Sequence, residues 1–258
     1  MMKNRIYFFS GTGNSLKAAR DIADALPACE IVAIYKHVDL NIPSGYDRIG
    51  FVFPTYYWGL PNMVANFLNK AIFPKQENTY YFAIATCGTS AGNAIFQLNN
   101  FLLKKSCHLN YGTSIKMFSN AVIIYEMKKN IAKITEKSNA RLKPIVSDIT
   151  EKKQNKISKG HKRIERIYTN YMQDISTKAI DFNCDDNCIS CGICQKICPA
   201  KNIKLIDGKP TFLHQCECCQ ACIQHCPKRA INYKNKTEQR RRYTHPHIKS
   251  KDLIDYYN

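Results

Sequence analysis

One pattern of four cysteines and a proline occurs twice in this chain of 258 residues. The first copy is Cys188-x2-Cys191-x2-Cys194-x3-Cys198-Pro199, and the second is Cys216-x2-Cys219-x2-Cys222-x3-Cys226-Pro227. Each position of the first recurs 28 residues later in the second. Three cysteines at two-residue intervals can wrap a tight loop around a compact inorganic body, and a fourth ligand has to come from elsewhere. Ten of the thirteen cysteines fall between Cys184 and Cys226. The N-terminal stretch from Met1 to Ser10 has only a short apolar run, which enters a Gly-rich turn without a cleavage-site pattern. It reads as a buried strand rather than a signal peptide. No apolar run approaches the ~20 residues of a membrane helix. A cytoplasmic, reducing location and metal ligation therefore account for the cysteines better than disulfides do.

Structural zinc is the competing account. Zinc takes four tetrahedral ligands, usually from two Cys-x2-Cys knuckles, and needs neither a third cysteine at the same interval nor the Cys-Pro that follows. This region closely resembles the bacterial two-cluster ferredoxins. The resemblance implies two [4Fe–4S] clusters with crossed ligation, because in that family the distal cysteine of each run serves the other cluster. Cluster I then takes Cys188, Cys191, Cys194 and Cys226. Cluster II takes Cys198, Cys216, Cys219 and Cys222. Cys184 and Cys218 read as bystanders, since only Cys219 keeps the repeat.

The first half of the chain has a different rhythm. Arg5–Phe9 is an apolar strand candidate, followed by Ser10-Gly11-Thr12-Gly13-Asn14-Ser15 and a helical pattern through Leu16, Ala19, Ile22 and Leu26. Strand, Gly- and hydroxyl-rich turn, helix is the geometry of a phosphate site, in which backbone N–H groups and hydroxyls meet the anion. The turn is neither a Rossmann fingerprint, because position 16 is Leu, nor a P-loop, because no Gly-Lys-Ser/Thr follows. Further strands are expected at Ile31–Tyr35, Arg48–Pro54, Tyr80–Thr86 and Ser114–Phe118. Helices are expected at Gly59–Ala71 and Gly92–Lys105. Alternation at this pace predicts an α/β, doubly wound parallel sheet that binds its ligand at the C-terminal ends of the strands.

Two of those strand ends carry chemistry. Pro54-Thr55-Tyr56-Tyr57-Trp58-Gly59-Leu60-Pro61 offers three adjacent aromatics, and Thr86-Cys87-Gly88-Thr89-Ser90-Ala91-Gly92-Asn93 offers small residues with free N–H groups. With the Ser10–Ser15 loop they suit a flat aromatic ligand with a phosphate tail; core packing is the competing use of the aromatics. These loops look like those of a flavodoxin, which binds FMN. Joined to the cysteine repeat, they resemble the flavodoxin–ferredoxin fusion proteins of anaerobic bacteria, the EFR1-type ferredoxins. The resemblance covers roughly residues 3–120 and 184–233. It implies a flavodoxin-like sheet followed by a small α+β ferredoxin unit. It places the phosphate on Ser10, Gly11, Thr12, Gly13, Asn14 and Ser15, and the isoalloxazine against Tyr56, Tyr57 or Trp58, beside Pro54 and Thr55. Gly59 would face the flavin N5, and Thr86, Cys87, Gly88, Thr89 and Gly92 its pyrimidine side. Loop 54–61 departs from the flavodoxin habit in having no acidic residue.

Residues 126–183 hold 14 Lys or Arg against 7 Asp or Glu, with apolar residues at helical spacing in two stretches. They read as two amphipathic helices, one completing the α/β layer and one leading into the cysteine-rich unit. The expected organisation is residues 1–180 as a flavodoxin-like unit that includes the basic connector 126–180, residues 181–235 as the two-cluster unit, and 236–258 as a basic tail. The net charge of +18 would be reduced, not reversed, by clusters and a phosphate. No aromatic–basic interleaving or DNA-binding motif accompanies it. A solvated basic face that docks an acidic redox partner is the expectation, rather than a nucleic-acid or membrane surface. No catalytic base, nucleophile or NAD fingerprint is evident. Two functions fit: an electron carrier linking FMN to two [4Fe–4S] clusters, or an FMN-dependent reductase of a small molecule fed by the clusters. The helical connector predicts a fixed geometry, with the clusters on the sheet edge that carries loops 10–15, 54–61 and 86–93.

Overall fold

The computed structural model describes residues 3–74 and 78–258. Met1 and Met2, at the head of the expected first strand region, lie outside the described residues.

Five strands, β1 (Asn4–Phe8), β2 (Cys29–Ala33), β3 (Arg48–Pro54), β4 (Tyr80–Cys87) and β5 (Tyr111–Lys116), form one parallel sheet of order β2-β1-β3-β4-β5. That order defines a flavodoxin-like doubly wound α/β fold, with its switch point between β1 and β3. Phe8 pairs with Ala33 on one side and Val52 on the other. Every residue of β4 is buried, as expected for a strand covered on both faces.

Alternation of side chains sorts the strands into two cores. Tyr7, Phe9, Phe51 and Phe53 point to one face, where α2 (Asn62–Lys70) and α3 (Ala94–Leu103) supply Val64, Leu68, Leu98 and Leu102. Ile6, Phe8, Val52 and Ile84 point to the other, against Leu16 and Ile22 of α1 (Asn14–Asp24) and Leu142 and Ile149 of α4 (Ile131–Thr150). Helix α4 is the first of the two connector helices, and it completes the α/β layer.

Several boundaries differ from the sequence expectation for local reasons. Helix α2 starts at Asn62, not Gly59, because Tyr56 and Gly59 exchange backbone hydrogen bonds of 3.0 and 2.9 Å in a tight turn. Strand β5 starts at Tyr111, three residues early, because Asn110 is tied to Tyr81 through both its backbone and its side chain. Strand β2 occupies Cys29–Ala33 rather than Ile31–Tyr35, in register with the whole of β1.

The second connector helix, α5 (Lys162–Met172), and a 3₁₀ turn at Ile175–Asp181 lead into the cysteine-rich region. There β6 (Phe182–Cys184), α6 (Ile193–Lys196) and β7 (Ile203–Ile206) are followed by β8 (Lys209–Phe212), α7 (Ala221–Gln224) and β9 (Ile231–Tyr233). The outer strands β6 and β9 pair antiparallel, and so do the inner strands β7 and β8. The sequence repeat is thus a backbone repeat, since α6 and α7 are also 28 positions apart.

Residues 236–258, expected as a basic tail, are folded onto the first half. Helix α8 (Ser250–Tyr257) buries Leu253 and Tyr257 in the second core, and Tyr256 meets Phe8 edge-on at 4.9 Å. Arg240 and Arg242 are not part of a solvated run. Arg240 donates to the Val122 carbonyl at 2.7 Å, and Arg242 donates to the carbonyls of Thr237 and Ile231 and to Asn232 Oδ1.

Candidate functional site

The chain after each of β1, β3, β4 and β5 contributes to one cavity of about 520 Å³. That volume is within the range of small-molecule sites, and the place is where an open α/β sheet binds ligands. Of the residues singled out in the sequence, Ser10, Gly11, Thr12, Asn14, Ser15, Pro54, Thr55, Tyr56, Tyr57, Trp58, Thr86, Cys87, Gly88 and Thr89 line it.

Gly13, Gly59 and Gly92 do not line the cavity and serve the backbone instead. Gly13 has φ +96° at the start of α1, and Ile248 and His245 pack against it. A side chain on Gly59 would strike Tyr168 of α5, and one on Gly92, at φ +55°, would strike the Trp58 carbonyl 2.3 Å away. Three groups of lining residues were missed: residues 118–121 and 123–125 after β5, Tyr171 and Ile175 of the connector, and Cys218–Gln220. The first was legible in principle, because β5 ends at the same sheet edge as β1, β3 and β4.

The loop after β1 is held from several sides. Gly13 N donates to Ser10 Oγ at 3.0 Å, and Asn120 Nδ2 donates to Thr12 Oγ1 at 2.7 Å. Ser15 Oγ and Thr86 Oγ1 are 2.9 Å apart, joining the first and third loops. The folded C-terminal segment adds three contacts: Tyr243 Oη donates to Asn14 Oδ1, His245 N to the Thr12 carbonyl, and Tyr257 Oη to the Ser10 carbonyl. The first N–H groups of α1 have no intrahelical acceptor and carry the positive end of the helix dipole. No acidic residue occupies that first turn. The loop therefore suits an anion.

The aromatic wall is strained. Tyr57 and Trp58 have φ of 46° and 64°, unusual for residues other than glycine. Tyr57 stacks on Tyr171 at 4.6 Å and 3°, while Lys178 Nζ lies 4.7 Å from its ring centre. Thr55 Oγ1 is buried without a hydrogen-bond partner, a polar handle in the cavity wall. Trp58, Ile124, Tyr125 and Tyr171 rim the cavity and are exposed.

The cysteines fall into two sets. Cys188, Cys191, Cys194 and Cys226 line one small cavity in the cysteine-rich half. Cys198, Cys216, Cys219 and Cys222 are mutual neighbours: the thiols of Cys219 and Cys222 are pushed well up by burial and by the charges of the others in the set. Cys226 thus lies with the first run of cysteines and Cys198 with the second. Backbone N–H groups point at sulfur, from Asn202 to Cys198 Sγ and from Cys218 to Cys216 Sγ, each at 3.2 Å. Among the described residues no group of three or more His, Cys, Asp or Glu closes around a point as a single metal ion requires.

Cys218 occupies the loop position of Ser190 in the first repeat; both have positive φ, 51° and 56°. Cys184 neighbours Cys188, and its thiol is pushed up to about 12, first by burial and then by that neighbour. Burial raises the Glu217 carboxyl to about 7, and Glu217 Oε2 accepts the Met63 N–H at 2.9 Å.

The two halves meet at the large cavity. Cys218, Cys219 and Gln220 form part of its wall, and a side chain on Gly11 would lie 2.2 Å from the Cys219 carbonyl. Tyr56 packs against Phe9 on one side and belongs to the apolar cluster around Cys218 on the other.

No protein-family pattern matches the chain. No curated protein matches it. Among solved structures, rubredoxin oxygen:oxidoreductase from the anaerobe Desulfovibrio gigas is 14% identical, over 64% of this chain and 37% of its own, with a TM-score of 0.42. The chain thus spans little more than a third of that protein. The flavodoxin of Streptococcus pneumoniae TIGR4 is 16% identical, over 58% of this chain and 98% of its own, with a TM-score of 0.41. An FMN-dependent NADH-azoreductase from Bacillus anthracis is 8% identical, over 58% of this chain and 100% of its own, with a TM-score of 0.40. These likenesses are remote, and the architecture rests on the strand order itself. No helix among the described residues is long and apolar enough to cross a membrane.

Proposed function

We propose that this chain is a cytoplasmic electron carrier that joins FMN to two [4Fe–4S] clusters, as in a flavodoxin–ferredoxin fusion. The observation that carries the reading is the shared wall: Cys219, a cysteine of the second repeat, lines the same cavity as the anion-suited loop after β1. When bound, FMN exchanges one or two electrons and each cluster one.

The chain's part is to bind and orient. The Ser10–Ser15 loop and the start of α1 would take the phosphate, and the Tyr56–Trp58 turn and Thr55 the ring. Cys188, Cys191, Cys194 and Cys226 would hold cluster I; Cys198, Cys216, Cys219 and Cys222 would hold cluster II. The four-cysteine cavity and the N–H groups aimed at sulfur fit such a body, because hydrogen bonds to sulfur and burial tune its potential. In this reading residues 1–180 with the returning segment 236–258 form the flavin unit, and 181–235 the cluster unit. The basic surface favours an acidic protein partner over nucleic acid or membrane.

A second reading, an FMN-dependent reductase of a small flat molecule, is favoured by the exposed rim of Trp58, Tyr125 and Tyr171. Turnover with quinones and nitroaromatics separates the two, since a carrier shows slow, unsaturable rates. The test of the main reading is cofactor content after anaerobic reconstitution. About eight irons and eight sulfides per chain, with FMN released on denaturation, support it. Stoichiometric zinc without sulfide, FAD in place of FMN, or no flavin uptake contradicts it.

A further inference from the structure

The two cysteine sets differ in depth. Of the thirteen cysteines, all described, Cys191 alone is exposed. Its neighbour Ile189 is 56% exposed, an apolar side chain left in water at the surface. In the other set Cys198 is buried, and Cys219 borders the large cavity. Cys194 and Cys222, equivalent positions of the repeat, link the sets by packing against the same two apolar clusters. The order along the molecule is therefore large cavity, inner set, outer set, solvent.

The outer end carries both signs of charge, with cations in the majority: Lys204, Lys209, Lys228 and Arg229 against Asp185, Asp186 and Asp207. Lys228 shares the outer cavity wall with Ile189 and Cys191 and forms no ion pair among the described residues. Lys209 reaches the Asp185 carbonyl and pairs with Asp186 at 3.4 Å across this same end. Lys204 and Arg229 are exposed nearby in the chain. A small apolar spot beside Lys204, Lys228 and Arg229, which form no ion pairs among the described residues, fits an acidic protein surface, which charge draws in and the apolar contact registers.

We propose that the Ile189–Cys191 loop is the port through which this chain exchanges single electrons with an acidic carrier protein. The outer set is the first station and the inner set, beside the large cavity, the second. This rests on the cluster reading given under Proposed function. In each encounter with a reduced carrier, the carrier loses one electron and the chain gains one. No bond or proton is exchanged, and two encounters supply the pair that full reduction of a flavin takes.

The experiment uses the full chain with its cofactors, purified anaerobically, and first counts iron and sulfide. Far fewer than eight of each overturns the cluster reading beneath the proposal. With eight present, a dysprosium chelate in the solvent should broaden one of the two paramagnetic resonance signals, the one altered by Cys191→Ser, and leave the other sharp. Equal broadening of both overturns the port while the clusters stand. Electron uptake from reduced plant-type [2Fe–2S] ferredoxin, used as an acidic probe, should fall roughly tenfold at low salt in the Lys209→Glu/Lys228→Glu variant. The deficit should shrink at high salt. Lys137→Glu/Lys143→Glu on the exposed face of α4 should leave the rate unchanged at equal iron content. An equal loss in that variant overturns the port.

Discussion

The Tyr257 hydroxyl clasps Ser10: it accepts the Ser10 N–H at 3.1 Å and donates to the Ser10 carbonyl at 2.7 Å. Two residues 247 positions apart thus fix the start of the anion-suited loop. The end of the chain reaches this loop after passing through the cysteine-rich half. Lys201 of that half also donates to the Tyr257 carbonyl. The C-terminal segment therefore links the loop to the cysteine-rich half.

Tyr257→Phe keeps the buried ring and removes both bonds. Each buried hydrogen bond contributes about 1 kcal/mol, and the abandoned backbone groups add to the loss. Denaturant unfolding should show a loss of about 1–3 kcal/mol, and flavin fluorescence titration should show weaker FMN binding. Unchanged affinity would mean that the clasp serves stability alone.

Gly11→Ala places a methyl where the Cys219 carbonyl now sits, 2.2 Å away. Backbone must move, so overpacking of about 1–3 kcal/mol is expected. The effect should be seen in both halves, as weaker flavin binding and earlier iron loss on warming. A variant with wild-type thermal stability and cofactor retention would show that the two halves do not meet there.

Cys198→Ala should damage the centre otherwise held by Cys216, Cys219 and Cys222, and Cys226→Ala the other. Cys218→Ser should keep both, because it replaces a loop residue with the residue its counterpart Ser190 already is. Iron analysis with resonance spectra decides. Loss of a cluster in Cys218→Ser and its retention in Cys219→Ser would reverse the ligand assignment.

His245 is buried, its Nε2 has no partner, and its pKa is lowered from 6.5 to about 4, mainly by burial and then by His247 and Lys17. The folded state therefore holds the neutral ring, while the unfolded chain takes up a proton below pH 6.5. The stability it contributes is complete above pH 6.5 and is lost as pH falls towards 4. His225, lowered to about 4 by burial, acts in the same direction. Urea midpoints at pH 7.5 and 5.5 should therefore differ less in His245→Gln than in the wild type. An identical pH dependence would show that His245 does not bury as a neutral ring.

The fold was legible where its causes are local. Alternating apolar strands and helical faces gave the order of elements, and the 28-residue spacing announced the paired β-α-β halves. The loops after β1, β3 and β4 were readable because glycine, hydroxyl and aromatic residues cluster at strand ends. What was not legible depends on partners distant in sequence. Arg240 and Arg242 look like a solvated run, yet their acceptors are carbonyls of Val122, Ile231 and Thr237. Tyr171 joined the cavity only because α5 packs over Gly59, where Tyr168 donates to the Leu60 carbonyl. Nothing in the composition of residues 236–258 signals that Tyr257 lies against Phe8 and Ser10.

In the proposed function, the cavity after β1 and the inner cysteine set form one electron route within a single chain. Stopped-flow reduction of the reconstituted protein follows that route. Electrons delivered to the iron–sulfur chromophore should appear on the flavin at a rate that does not change with protein concentration. A rate that rises in proportion to protein concentration would mean transfer between molecules, and would contradict the route.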